Sequence, residues 1–401
     1  MTSEIPQPQE ETPTAEAGLP PVNSLRELID RISGRGFQAA QATSESGVAD
    51  NLPFPFLAMV GQREMKLALI LALINPAVGG VLLVGPRGTG KTTAVRGLTD
   101  LLPEVPRSLC YYGCMPEDIE AGGIDAVCPD CARKYAQGDP LFQLDRVRMV
   151  ELPLNSRIEE VVGGIDERAA VHSRLQLRRG LLSQADRNIL YVDEINLLDN
   201  DIVDAILDAA AQGSYTVRRG AISATYRAHF VLIGSMNPEE GSLRPQILDR
   251  FGLRILVHGL EDREQRLEAY RRVRSYLTNP RRTVATYLAE TAQLQAEIQA
   301  ARDLLPQVEL PDSVAESGLA LIDELHIDSL RAEITLFEAA RAYAAADGRN
   351  TVTAQDLFGV APMTLRVRRS TFITEFFAAQ QVEENEIRKI LDASVSTDEE
   401  E

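Results

Sequence analysis

The chain has 401 residues, of which 44% are hydrophobic, and its 41 basic and 59 acidic residues give it a net charge of −18. This length accommodates two or three domains with cores of their own and excludes a small disulfide-stapled scaffold. The acidic balance argues against a nucleic acid as the main ligand, because phosphate backbones require a basic surface.

Membrane and export signals are not found in the sequence. No apolar run approaches the roughly 18 residues that a membrane-spanning helix needs. The first residues, MTSEIPQPQEE, have neither the positive charge nor the apolar core of a secretory signal peptide. We therefore expect no membrane span and a cytoplasmic location.

Residues 1–52 form an extension that we predict to be disordered or linker-like. Five prolines among Glu, Thr and Gln residues prevent the first part, 1–23, from burying enough apolar surface to order itself. Ser24 then precedes LRELIDRI, whose leucines and isoleucines share one helical face. We expect a short amphipathic helix there, docked on the body of the protein or on a partner.

A phosphate-binding loop follows a short apolar strand, residues 81–84 (VLLV). The pattern G-x-x-x-x-G-K-[ST] comes directly after the strand and opens a helix-compatible segment. In this pattern backbone N–H groups bind the phosphates, Lys91 reaches their oxygens, and the Thr92 hydroxyl binds the accompanying Mg²⁺. The predicted nucleotide-binding residues are Gly85, Pro86, Arg87, Gly88, Thr89, Gly90, Lys91, Thr92 and Thr93.

All four cysteines follow the loop helix within 22 residues, at Cys110, Cys114, Cys128 and Cys131. This spacing suits a tetrahedral thiolate site, most simply structural Zn²⁺. Two disulfides are not expected in a reducing compartment. An iron–sulfur cluster and unliganded buried or redox-active thiols are the alternatives. Either metal would hold a loop in place and take no part in ATP chemistry.

Two carboxylates follow a second apolar strand, residues 189–192 (ILYV). A buried parallel strand at this point delivers Asp193 and Glu194 to the carboxyl edge of the sheet, where open α/β sheets bind ligands. We expect Asp193 to hold the Mg²⁺ and Glu194 to polarise the water that attacks the γ-phosphate. About a hundred residues after a phosphate loop, this pair indicates ATP hydrolysis.

A third apolar strand, residues 230–235, ends beside Asn237. Asn237 is placed to orient the same water; its alternative role is an Asx-turn before proline. Arg250 ends a short helix, where an arginine is commonly a finger that stabilises charge on a phosphoryl group in a neighbouring subunit. Its alternative is a surface ion pair with Asp249.

The other segments have helical or strand periods. They predict a strand at 148–153, a helix or hairpin entry at 157–168, a helix at 180–185, a helix at 201–212 that Gly213 ends, a β-hairpin arm at 215–222, and helices across 262–302.

From residue 311 the chain becomes alanine-rich and predicts a separate helical bundle, with Thr353 capping its last helix. Arg331 opens the second of these helices and is placed to reach back to the nucleotide, although exposure is the default for a helical arginine. The predicted domains are a nucleotide-binding α/β domain at 53–260 with a cysteine-rich insertion at 108–140, a helical linker at 261–310, a helical lid at 311–380, and an acidic tail at 381–401.

Together these stretches resemble the AAA+ ATPases, and specifically the ATPase (I) subunits of magnesium chelatase, the enzyme of chlorophyll and bacteriochlorophyll biosynthesis that inserts Mg²⁺ into protoporphyrin IX. The resemblance covers about residues 53–369. It rests on the blocks VLLVGPRGTGKTT, NILYVDEINLLDNDIVDAILDAAAQG and SMNPEEGSLRPQILDRFGL. It implies a P-loop parallel sheet flanked by helices and followed by an all-α lid.

The resemblance also implies roles for residues and partners. The implied residues are Lys91 and Thr92 in the phosphate loop, Asp193 as Mg²⁺ holder, Glu194 as catalytic base, Asn237 as first sensor, Arg250 as the finger acting across a subunit interface, and Arg331 as second sensor. The implied partners are a hexameric ring of copies, a D subunit with a von Willebrand A-type domain, and a large porphyrin-binding H subunit that performs the chelation.

The chain departs from the family pattern at its four cysteines, at its N-terminal fifty residues, and at LRVRRSTFITEFF, which replaces the usual ending. The alternatives are a MoxR-like chaperone or remodelling ATPase that matures another metalloenzyme, and the ATPase subunit of a different metal chelatase. The LRPQILDRFG block favours magnesium chelatase. An inactive scaffold is disfavoured because every expected catalytic residue is present.

Overall fold

The computed structural model describes residues 52–110, 112–165, 177–220, 222–241 and 243–368. The predicted helix after Ser24 and the acidic tail lie outside the described residues. The strands are β1 (Val81–Val84), β2 (Val105–Ser108), β3 (Phe142–Asp145), β4 (Met149–Leu152), β5 (Gly163–Ile165), β6 (Leu177–Arg179), β7 (Ile189–Val192), β8 (Ser214–Arg219), β9 (Ile222–Arg227), β10 (Val231–Met236) and β11 (Leu253–Leu256).

The α-helices are α1 (Arg63–Ile74), α2 (Lys91–Gly97), α3 (Pro116–Gly122), α4 (Pro129–Gln137), α5 (Ile158–Val162), α6 (Leu181–Gln184), α7 (Asn200–Gln212), α8 (Pro245–Arg250), α9 (Arg263–Thr278), α10 (Pro280–Leu304), α11 (Asp312–Glu324), α12 (Leu330–Ala346) and α13 (Ala354–Leu365). None of the helices within the described ranges is long and apolar enough to cross a bilayer.

The central sheet is parallel and has the strand order β11-β1-β10-β7-β4. Val81 of β1 pairs with Ile233 on one side and Leu253 on the other. Strands of this kind are buried on both faces, which explains why their sequences are continuous apolar runs. Since the strands are parallel, β1, β7 and β10 all end at one edge of the sheet, where the nucleotide residues were predicted.

The two faces of the sheet belong to two different cores. Val81 and Leu83 pack in one core with helices α1 and α2, whereas Leu82 points to the other, which includes Ile202 and Ile206 of α7. This alternation follows from the period of two in a strand. The helices on both faces confirm the predicted α/β architecture.

The C-terminal helices pack against the first core through α12, six of whose alanines are buried: Ala332, Ala339, Ala340, Ala342, Ala344 and Ala345. Asn75, just after α1, donates from Nδ2 to the Glu338 carboxylate at 2.7 Å. Thr353 caps α13 as predicted, and its backbone N–H donates to the Asp356 carboxylate at 2.8 Å. The all-α lid is therefore tied to the sheet domain by both apolar packing and hydrogen bonds.

Other predicted elements are also present. The helix at 201–212 ends at Gly213, whose φ of 65° lies in the left-handed region favoured by glycine. The predicted hairpin arm is the antiparallel pair β8–β9, which extends to Arg227. The segment that predicted a helix or hairpin entry contains both, because α5 leads directly into β5.

Candidate functional site

The phosphate loop connects β1 to α2 and depends on its glycines. Gly88 and Gly90 have φ of 78° and 87°, values that L side chains rarely adopt. A Cβ at Gly85 would collide with the carbonyl oxygen of Val257 on the neighbouring strand end. The loop is thus held close to the sheet, with the N-terminus of α2 directed toward the space above it.

The Lys91 side chain is hydrogen-bonded to the backbone of its own phosphate loop. Its ammonium donates to the carbonyl oxygens of Gly85 and Pro86, at 2.7 and 2.8 Å. Burial lowers the pKa of Lys91, while the nearby carboxylates of Asp193 and Glu194 act in the opposite direction. The ammonium therefore faces both carboxylates, and its donors are available for transfer to phosphate oxygens.

A chain of hydroxyls joins Thr92 to Asp193, the two predicted Mg²⁺ ligands. The Thr92 hydroxyl lies 3.0 Å from the Tyr191 hydroxyl, which donates to Asp193 Oδ1 at 2.8 Å. The Ser235 hydroxyl donates to the same carboxylate oxygen. Hydroxyl and carboxylate oxygens are ligands that suit Mg²⁺, so the residues present fit this ion.

Tyr191 and Ser235 were missed by the sequence interpretation, which counted both only as strand residues. A signal existed for Tyr191, because it precedes Asp193 by two residues and residues two apart along a strand share a face. Tyr191 is fully buried, and burial raises its pKa well above the usual range. It therefore remains a neutral donor.

Glu194 is fixed at both its backbone and its side chain. Its φ of 49° is left-handed, which is uncommon for a residue with a side chain and concentrates at functional sites. Its N–H donates to Ser235 Oγ at 3.1 Å. Its carboxylate pairs with the guanidinium of Arg87 at 3.1 Å, and Arg87 also pairs with Glu240.

Asn237 lies at the tip of β10 and is buried. Its side-chain oxygen accepts from the Glu239 N–H at 3.3 Å and caps the short 3₁₀ helix that follows. The alternative Asx-turn role is therefore present. Asn237 nevertheless lines the same cleft as Asp193 and Glu194, so the two roles do not exclude each other.

One cleft brings together most of the predicted nucleotide residues. It is lined by Arg87, Gly88, Thr89, Gly90, Lys91, Thr92, Thr93, Asp193, Glu194, Ser235, Met236 and Asn237. Neither Arg250 nor Arg331 is among the described residues that line it. Both arginines line a second cleft, together with Gly79, Gly80 and Asp208.

Arg250 ends α8 and pairs with two carboxylates of α7, Asp208 at 2.8 Å and Asp204 at 3.6 Å. The alternative ion pair predicted for it, with Asp249, is not the pair that the structure shows. The reason is geometric: consecutive residues on a helix project in different directions, so Asp249 faces the lid while Arg250 faces α7.

Asp249 binds the lid domain instead. Its carboxylate lies 3.5 Å from Arg331 and 2.7 Å from Arg368, and it accepts from the Ser329 hydroxyl at 3.0 Å. The Arg368 side chain is fully buried. Arg254 completes the cluster, because its guanidinium lies 3.7 Å from the Asp249 carboxylate. Burial lowers the pKa of Arg254 to about 9. The helix that carries Arg250 is thus anchored to the lid through the residue before it.

The four cysteines converge at a separate place, between β2 and β3. Their sulfur atoms all lie within 4.8 Å of one another. Cys110 Sγ is 3.8 Å from Cys114 Sγ and 3.5 Å from Cys128 Sγ. The hydrogen bond between the Cys110 and Cys114 sulfurs is the main cause that lowers the pKa of Cys110, whereas burial is the main cause that raises the pKa of Cys131.

Two family models match the chain. One is described as magnesium chelatase, subunit ChlI, and matches residues 162–263; the other is an AAA lid domain and matches residues 320–390. These ranges cover part of the sheet domain, including Asp193, Glu194, Asn237 and Arg250, and the lid with Arg331.

Individual relatives match across most of the chain. The magnesium-chelatase 38 kDa subunit of Acidiphilium rubrum is 43% identical over 82% of this chain and 95% of its own length. A magnesium-chelatase subunit ChlI homolog of Methanocaldococcus jannaschii is 41% identical over 80% of this chain and 87% of its own. A crystal structure of a candidate ATPase from Cytophaga hutchinsonii matches with a TM-score of 0.52 at 19% identity, over 83% of this chain and 90% of that one, and shows a shared fold.

Proposed function

The chain belongs to the family of magnesium-chelatase ChlI subunits, which are AAA+ ATPases, and we propose that it is the ATP-hydrolysing motor subunit that powers Mg²⁺ insertion into protoporphyrin IX. The observation that carries this proposal is the cleft at the carboxyl edge of the sheet, which combines a complete phosphate loop with Asp193, Glu194 and Asn237. The 41–43% identity to named chelatase subunits over most of the chain supports the choice of process.

In the proposed mechanism, the chain's own residues position the nucleotide and the water. The N–H groups of the loop and of the α2 N-terminus bind phosphate oxygens, and Lys91 transfers its hydrogen bonds to them from the loop carbonyls. Thr92 and Asp193 would hold the Mg²⁺, which would neutralise charge on the phosphates. Tyr191 and Ser235 orient the Asp193 carboxylate for this task.

Glu194 acts as the base that polarises the attacking water, and Asn237 helps to orient that water. The Arg87 guanidinium holds Glu194 before nucleotide binds. Arg87 is exposed at the mouth of the cleft, so the phosphates of an incoming nucleotide compete with Glu194 and Glu240 for its positive charge. We infer that this competition releases Glu194 toward the water.

We propose that Arg250 and Arg331 act on the nucleotide of a neighbouring copy, as finger and second sensor. Their place in a second cleft, away from the phosphate loop of their own chain, supports this arrangement. A ring of copies, most simply a hexamer, places that second cleft against a neighbour's nucleotide. Each active site is then shared between two protomers.

The relatives are named as subunits of magnesium chelatase. On that basis we propose that this chain works with a D subunit and with a porphyrin-binding H subunit that performs the chelation. ATP and Mg²⁺ are the cofactors of this chain in that assembly. The ring converts hydrolysis into a change of shape that acts on its partners.

The test is Mg²⁺ insertion into protoporphyrin IX, followed by fluorescence, in a mixture where this chain replaces the I subunit beside matched D and H subunits and ATP. We expect insertion that disappears with Lys91→Ala and persists with Lys134→Ala, which removes a lysine of α4 outside the cleft. ATP hydrolysis without insertion, with partners shown to be competent, would instead favour a remodelling ATPase or another chelatase.

A further inference from the structure

The sulfur geometry of the cysteine cluster matches the requirements of a single tetrahedral ion. A Zn–S bond of about 2.3 Å at tetrahedral angles separates neighbouring sulfurs by about 3.8 Å. The observed separations are 3.8 Å for Cys110–Cys114 and 3.5 Å for Cys110–Cys128, and all four sulfurs lie within 4.8 Å. A disulfide needs about 2.05 Å, and all four cysteines are free.

Backbone N–H groups around the cluster donate to its sulfurs. The N–H of Tyr112 donates to Cys110 Sγ, and the N–H of Cys128 donates to Cys114 Sγ, each at 3.3 Å. Cys114 and Cys131 are buried. Hydrogen bonds of this kind orient the side chains that ligate a metal.

The surrounding segment, residues 105–145, is here called the cysteine module, and its described residues bury few apolar side chains. Neither α3 nor the 3₁₀ helix Ile124–Ala126 buries any residue, and α4 buries only Cys131. The small core of the module consists of Cys114, Cys131 and Leu141. Segments of this size with so little core depend on a metal or a disulfide for their structure.

We propose that Cys110, Cys114, Cys128 and Cys131 bind one structural Zn²⁺. Four protein thiolates complete the coordination shell, which is the arrangement of structural rather than catalytic zinc. In clusters with several irons the thiolates bind different metal atoms and are therefore spread more widely than around one ion. The compact sulfur set favours a single ion, and the zinc site is independent of the ATPase cleft.

The zinc site also explains how the module is fastened to the ATPase domain. Glu117 of α3 pairs with Arg187 and Arg227, each at 3.1 Å. The adjacent Asp118 pairs with Arg227 at 3.0 Å. Arg187 lies just before β7, the strand that leads to Asp193. Because α3 buries nothing of its own, we infer that the metal holds α3 in place for these ion pairs.

The experiment is metal analysis of the purified full-length chain by mass spectrometry. We expect one Zn per chain in the wild type, and its loss in Cys128→Ser and Cys131→Ser. Ala126→Ser is the matched control: it makes a similar change on the same loop without removing a ligand, and it should retain the full zinc content. Circular dichroism checks that the variants fold.

A second measurement does not depend on variants. In the wild type a thiol reagent should modify the cysteines only slowly until a chelator is added, and one Zn²⁺ should then be released per four thiols. Iron in place of zinc, with visible absorption, would overturn the assignment of the metal. A chain without metal, whose four thiols react at once and are not protected by added Zn²⁺, would overturn the site itself.

Discussion

Glu194 combines an unusual backbone conformation with a carboxylate that pairs with an exposed cation. The left-handed φ and the hydrogen bond to Ser235 fix where its side chain starts. The ion pair with Arg87 fixes where its carboxylate points. A residue held in this way is already placed for chemistry and needs only a side-chain movement to act.

We expect Glu194→Gln to leave nucleotide binding within about twofold and to lower ATP turnover by about 10²- to 10⁴-fold, because the amide retains the shape but cannot accept the proton of water. Fluorescent-nucleotide titration and steady-state ATPase assays measure the two effects. Glu239→Gln removes an exposed carboxylate in the loop after β10 and should change neither. Wild-type turnover in Glu194→Gln would remove Glu194 from the role of base.

For single residues, the sequence was sufficient to predict those that belong to a motif of fixed spacing. The loop from Gly85 to Thr92 and the pair Asp193–Glu194 were predicted by motif, and the structure places Arg87 to Thr92 and this pair in one cleft. Tyr191 was not found, because an apolar run hides the one hydroxyl that faces a ligand site. The Arg87–Glu194 pair joins residues 107 positions apart, and no local pattern predicts it.

The last lid helix shows how one side chain can decide the stability of an element. Asp356 is buried, and its carboxylate accepts hydrogen bonds from Arg349 at 2.5 and 2.8 Å and from the Thr353 N–H at 2.8 Å. Although burial opposes it, this set of donors holds the pKa of Asp356 below its usual range. The cap therefore depends on the ionised carboxylate.

We expect Asp356→Asn to lower the free energy of unfolding at neutral pH by about 2 kcal/mol, because it removes charge-assisted hydrogen bonds from a buried site. Asp347→Asn is the matched control: it removes an exposed partner of the same arginine, 3.0 Å from Arg349, and should cost less than about 0.5 kcal/mol. Urea denaturation measures both. Equal effects of the two substitutions would contradict the role given to burial.

The lowered pKa of Asp356 also determines how the stability of the protein depends on pH. A carboxyl whose folded pKa is depressed contributes its stability above the unfolded pKa, about 3.9, and loses it as the pH falls through the folded value. The stability difference between wild type and Asp356→Asn should thus be constant above about pH 5 and shrink below about pH 4.

Helices and strands were predictable where the hydrophobic periodicity and the capping or turn residues agreed. Thr353 before α13, Gly213 after α7 and the apolar runs of β1 and β7 all gave correct elements, because caps and buried strands have local signatures. The helices of the cysteine module were not predicted, although Pro129 begins α4 and Gly138 follows its last residue. Helix α4 buries only Cys131, and its position depends on contacts between sulfurs that the spacing of the cysteines can only suggest.

At the scale of the whole molecule, two of the clefts formed by the described residues have complementary contents. One contains the phosphate loop and the carboxylates, and the other contains Arg250 and Arg331. The lid stabilises the second, because Asp249 binds the buried Arg368 as well as Arg331. In the proposed ring, a site divided in this way is incomplete in one copy and is completed by a neighbouring copy assembled head to tail.

The division of the site leads to a test by subunit mixing. Lys91→Ala should lose nucleotide binding, whereas Arg250→Ala should bind nucleotide and fail to hydrolyse it. In a mixed ring, a nucleotide cleft from the Arg250→Ala chain can meet Arg250 from the Lys91→Ala chain. One in four interfaces of a random equal mixture has this arrangement, so two inactive proteins should together recover about a quarter of wild-type ATPase activity.

The matched control is Arg244→Ala, which removes an exposed arginine that lies 3.9 Å from Asp204, a carboxylate that Arg250 also contacts. Arg244→Ala should hydrolyse ATP without a second variant. We attribute the loss of hydrolysis in Arg250→Ala to the missing finger and not to a general loss of positive charge at this surface. If Arg250→Ala hydrolyses ATP alone, the arginine is not the finger. Two distinguishable tags show whether mixed rings form. If mixed rings form and recover no ATPase activity, Arg250 does not act on a neighbour's nucleotide. The reason is that one defective chain can supply what the other lacks only by acting across the interface.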